Sequence, residues 1–78
     1  MICLATFYTH YGALSLDRKL KKQKFSRQMM PVPRSLSASC GVCVRFEAES
    51  PEIARDAEDL EALYAEKDGT YRLLFRGE

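Results

Sequence analysis

The 78-residue chain has little with which to cross a membrane, hold a metal or staple itself together. Its first apolar run, Met1 to Tyr8, is short, carries no basic leader and breaks into polar residues at Thr9-His10. Neither a signal peptide nor a transmembrane helix is expected, and no membrane partner. Three cysteines, an odd number without export signals, point to reduced thiols in the cytoplasm rather than to a disulfide framework. A zinc site needs about four ligands. Cys40-Gly41-Val42-Cys43 has the spacing of half of one, but only Cys3 and His10 remain as soft candidates. No metal and no cofactor are expected. There are no internal repeats, and low-complexity character is limited to Ser35, Ser37 and Ser39.

The length predicts one domain, residues 1–78, with a thin core and little room for a deep pocket. Reaction chemistry is therefore expected on a surface loop. The net charge is only +1, yet the halves differ. Residues 1–46 carry eight Lys/Arg and one acid, Asp17, whereas residues 47–78 carry four Lys/Arg and ten Asp/Glu. Such asymmetry marks either an interaction face or two helices with oppositely charged solvent faces. A basic first half with aromatic strands invites an RNA-binding reading, but Cys43-Val44-Arg45-Phe46-Glu47 lacks the paired solvent-facing aromatics that base stacking uses. No nucleic-acid partner is expected.

Ile2 to Tyr8 reads as a buried strand. Thr9 is placed to cap a helix whose Ala13, Leu16 and Leu20 share one face, with Leu14 beside them. Phe25 to Val32 reads as a second strand, ended or edged by Pro31 and Pro33. Val42 to Ala48 alternates as a third. Ser50-Pro51 opens a second helix, with Ile53, Ala57, Leu60 and Tyr64 as its stripe, flanked by Ala54 and Leu63. Asp68-Gly69 stops it, and Thr70 to Phe75 is the last strand. The order β-α-β-β-α-β predicts an α+β, ferredoxin-like sandwich: an antiparallel sheet with two helices on one face.

That topology gives the cysteines different surroundings. The loop between the second and third strands is expected to put Cys40 near the backbone N–H groups of Thr9, His10 and Tyr11. A helix N-terminus favours a thiolate. Cys3 falls at the other end of its strand, roughly 15–20 Å away at ~3.3 Å per residue. The segment Pro31 to Gly41 is long for a hairpin, and such loops are often functional. Gly41 permits a positive φ beside the thiol. Arg34, Arg45 and His10 are candidate partners for a sulfur anion, and Ser39 a candidate donor. Each has a plainer reading as a solvated charge, a polar residue near a cap or a satisfier of loop backbone.

The stretch Pro31-Val32-Pro33-Arg34-Ser35-Leu36-Ser37-Ala38-Ser39-Cys40-Gly41 resembles the signature of a family of small bacterial selenium/sulfur carrier-like proteins, formerly a domain of unknown function (DUF3343). Thr9-His10, Ala13-Leu14 and Leu20 fit the same pattern, and the resemblance runs from about Leu4 to Phe75. It implies Cys40 as the sulfur-bearing residue, with Gly41 after it and Arg34 and Ser39 before it. Cys43 departs from the family pattern, where an aliphatic residue is usual. The resemblance implies a sulfur or selenium carrier that takes a persulfide on Cys40 from a donor such as a cysteine desulfurase and passes it to an acceptor protein. It points to a carrier protein rather than to a stand-alone enzyme. Two alternatives stay open: a dithiol redox module using Cys40 and Cys43, and a non-catalytic interaction domain.

Overall fold

A computed structural model describes residues 1–77. The elements are β1 (Ile2–Phe7), α1 (His10–Lys22), β2 (Arg27–Pro31), β3 (Val42–Glu47), α2 (Glu52–Arg55), β4 (Leu60–Lys67) and β5 (Thr70–Arg76). They build one antiparallel sheet in the order β2-β3-β1-β4-β5. β1 is central because its residues Cys3 to Phe7 are all buried and need neighbours on both edges. β3 lies between β1 and β2, as the ferredoxin-like arrangement requires.

Alternation divides the sheet into two faces. Cys3, Ala5, Phe7, Val44, Phe46 and Leu63 join Ala13, Leu16 and Leu20 of α1 and Ala54 of α2 in one core cluster. Both helices therefore cover the same face. Burying a Leu or Phe side chain contributes about 1.5–3 kcal/mol, so this cluster holds the layers together. On the other face Leu4, Thr6, Cys43 and Ala62 are also buried, although no helix lies there.

α1 begins where Thr9 accepts the Gly12 N–H on its hydroxyl, 3.1 Å away, as the sequence predicts. Lys19, Lys21 and Lys22 occupy its last turn, where cations suit the helix dipole. Pro31 ends β2, which is an edge strand, so its missing N–H costs no ladder bond in the sheet interior. Among the described residues no helix is long and apolar enough to cross a membrane.

The fold class holds: α+β, antiparallel, two helices. The second helix does not extend as the sequence predicts. It is a single turn, and Leu60 to Lys67 is a strand. The helix ends at Arg55, and Asp59, at a φ of 58°, turns the chain into β4. The helix starts one residue later than expected, with Pro51 at its N-cap, although the Ser50 hydroxyl accepts the Glu52 N–H at 3.2 Å. Asp68 and Gly69, both at positive φ, form the two-residue turn of the β4–β5 hairpin rather than a helix stop.

Candidate functional site

The loop of residues 32–41 between β2 and β3 carries Cys40. Its base is closed by the Val32 N–H donating to the Gly41 carbonyl at 3.1 Å. Near its tip the Leu36 N–H donates to the Pro33 carbonyl at 3.0 Å, making a turn that leaves Arg34 and Ser35 exposed. Gly41 has a φ of 75°, in the left-handed region that a residue with a Cβ avoids. That bend delivers the chain from the loop into β3.

Two long-range contacts hold the residues around the sulfur. His10 Nε2 lies 3.1 Å from the Cys40 carbonyl oxygen. A carbonyl only accepts, so Nε2 carries the proton in this contact. On the other side, Glu61 accepts the Ser39 N–H at 2.9 Å and its hydroxyl at 3.4 Å. Cys40 thus sits between a strap to the start of α1 and a strap to β4. Its own Sγ is 3.4 Å from the Val42 carbonyl, a contact in which the thiol donates. Cys40 is partly exposed and packs against the helix-side core.

The other thiols are enclosed. Cys3 is fully buried, and burial raises its pKa. Cys43 is fully buried opposite Thr6 of β1 and Met30 of β2. Burial, and then the nearby Cys40, push its thiol up to about 11. Alternation along β3 sets Cys43 on the face away from the helices, whereas Cys40 packs on the helix side.

The remaining candidates divide. His10 reaches Cys40 through its backbone. Thr9 does not; its hydroxyl donates to Asp59 Oδ2 at 2.7 Å while capping α1. Arg45 is not brought to Cys40. It lies opposite Leu4 on β3 and reaches diagonally across β1 to Glu66, with Nε and Nη2 at 2.9 and 3.2 Å from the two carboxylate oxygens. The pairing holds Glu66 below the usual carboxylate range and Arg45 above its own. Glu61 is the residue that sequence reasoning missed. It sits at the register shift between β1 and β4, the extra residue of a bulge, and bulges re-aim side chains. Only the strand assignment of 60–67 would have pointed to it.

These features define a class: a small α+β domain with two sealed thiols and one partly exposed cysteine on a strapped loop. A family model described as "Putative Se/S carrier protein-like" matches residues 2–67. The chain belongs to this Se/S carrier-like family. No curated protein and no solved structure matches it.

Proposed function

We propose that the protein carries sulfur or selenium as a persulfide or its selenium counterpart on Cys40, working between two other proteins in the cytoplasm. The observation that carries this reading is the contrast among the three free cysteines: Cys3 and Cys43 are sealed and Cys40 alone is partly exposed. In the first step the Cys40 thiolate attacks the outer sulfur of a donor's persulfide, for example that of a cysteine desulfurase. The donor's S–S bond breaks, its cysteine leaves as a thiolate with the electron pair, and Cys40 holds the new S–S bond. An acceptor nucleophile then attacks the same outer sulfur and Cys40 leaves as thiolate. No net oxidation occurs in either step.

Ser39 and His10 fix the backbone around the sulfur, Thr9 fixes the start of α1 beneath His10, and Gly41 allows close approach from solvent. Arg34, exposed on the same loop, offers a cation to an incoming sulfur anion. Arg45 has no part, being held by Glu66. The high pKa and burial of Cys43 favour one working sulfur over a dithiol pair.

Intact mass after incubation with a cysteine desulfurase and cysteine tests the reading. A gain of roughly 32 Da is expected on the wild type and on Cys43→Ser, and none on Cys40→Ser. Loss of the gain in both variants would replace the single-cysteine carrier with a dithiol mechanism.

A further inference from the structure

A protein that delivers sulfur to Cys40 must also cover what surrounds it. A stable interface takes about 800 Å² from each partner, a disc of roughly 16 Å radius. His10 touches Cys40, and at 1.5 Å per residue Leu14 lies only ~6 Å further along the α1 axis. A disc centred on Cys40 therefore reaches the start of α1.

The outward side of that helix is unusual for a small soluble domain. Gly12, Ala13, Leu16 and Leu20 face the core. At about 100° per residue, Tyr11, Leu14 and Arg18 then share the opposite face, at spacings of three and four. Tyr11 is 59% exposed and Leu14 42%. Singly, exposed apolar residues mean little. Here they adjoin each other and follow His10, which contacts the Cys40 carbonyl, and Tyr and Arg are the residue types that anchor protein interfaces.

Charge says what sits there. Arg18, Lys21 and Lys22 are exposed on this face, and among the described residues no carboxylate pairs with them. Of the acids near α1, Asp17 pairs with Arg27, Asp56 with Lys19, Asp59 with Thr9 and Glu61 with Ser39, while Glu58, exposed beside Gly12, makes no ion pair with this face. Lys22 lies ~18 Å from His10 along the axis, at the rim of the disc, where interfaces are polar. We infer that Tyr11, Leu14 and Arg18 form the docking face for the protein that loads Cys40, and that this partner presents its persulfide in an apolar patch bordered by Asp and Glu. This rests on the carrier reading of Cys40.

Loading by two donors separates the two ideas. One donor is a cysteine desulfurase supplied with cysteine, and the other is glutathione persulfide, which needs no docking face. For the double variant Tyr11→Ala/Leu14→Ser, kcat/KM with the desulfurase should fall about tenfold or more, while loading by glutathione persulfide stays within about twofold of wild type. Arg18→Glu/Lys22→Glu should also slow the desulfurase, with the deficit shrinking as salt rises. Both variants lie on the solvent side of α1, and thermal melts check that each is folded. Desulfurase loading that is absent from the wild type, or no faster there than in the variants, overturns the docking face. Failure of both donors to place sulfur on Cys40 of the wild type overturns the carrier reading instead.

Discussion

Cys43 decides between one working sulfur and two, and its chemistry can be measured directly. With its thiol pushed up to about 11, about one Cys43 in ten thousand is a thiolate at pH 7. A thiol at the unperturbed value of 9.0 is ionised ~100 times more often. Alkylation proceeds through the thiolate, so ionisation alone slows Cys43 about 100-fold, and full burial adds the cost of opening the sheet. Residue-resolved iodoacetamide labelling of the native chain, set against the urea-unfolded chain at the same pH, reads this ratio. A native rate for Cys43 within tenfold of its unfolded rate at pH 7 would refute the reasoning. The same shift acts on stability. The folded thiol holds its proton to higher pH than the unfolded one, so its contribution is intact below pH 9 and is lost as the pH rises from about 9 towards 11. The ceiling on that loss is ~3 kcal/mol, at 1.36 kcal/mol per pH unit.

Three further outcomes follow from the packing. A Cβ on Gly12 would meet the Glu58 carbonyl oxygen at 2.6 Å and the Phe7 ring at 2.9 Å, so Gly12→Ala should lower stability despite the better helix former. Overpacking of ~1–3 kcal/mol against a propensity gain of ~1 leaves a net loss of up to about 2 kcal/mol, and a raised thermal melt would contradict it. Arg45→Ala should cost only about 0.5–1 kcal/mol, because both partners are partly exposed, and should leave Cys40 alkylation unchanged. Since Glu66 titrates below its ordinary value of 4.5 only while paired, that cost should fade as the pH drops beneath it; urea melts at pH 7 and pH 3 would show whether it does. Glu61→Gln should loosen the Ser39–Cys40 segment, raising hydrogen exchange at the Ser39 amide about fivefold for ~1 kcal/mol of lost bonding, and an unchanged rate would remove Glu61 from the site.

Much of this architecture is legible in the residues. The alternation of Val42, Val44 and Phe46, the run from Ile2 and the stripe of α1 mark three elements whose burial depends on local pattern alone. The loop position of Cys40 beside His10 then follows from chain order, since β3 must return between β1 and β2. The segment Leu60 to Lys67 was harder. Leu, Glu and Ala are good helix formers, and Ile53, Ala57, Leu60 and Tyr64 fit a helical period. Tertiary demand decided otherwise: β1, buried on both faces, needed a second neighbour, and β4 supplies it. The deciding local signal was Asp68-Gly69. This pair between two apolar runs is a strong hairpin mark, and reading it as a helix stop hid β4 and, with it, Glu61. The role of Arg45 was mislaid for a related reason. Its partner, Glu66, sits on that same hidden strand.

The proposed function requires that sulfur ride on Cys40 alone. Peptide-level mass spectrometry after desulfurase loading, with the persulfide trapped by a haloacetamide, measures it directly. An added sulfur of roughly 32 Da is expected on Cys40, in the wild type and in Cys43→Ser, with Cys3 and Cys43 unmodified. Sulfur on Cys43, or loading that persists in Cys40→Ser, would contradict it.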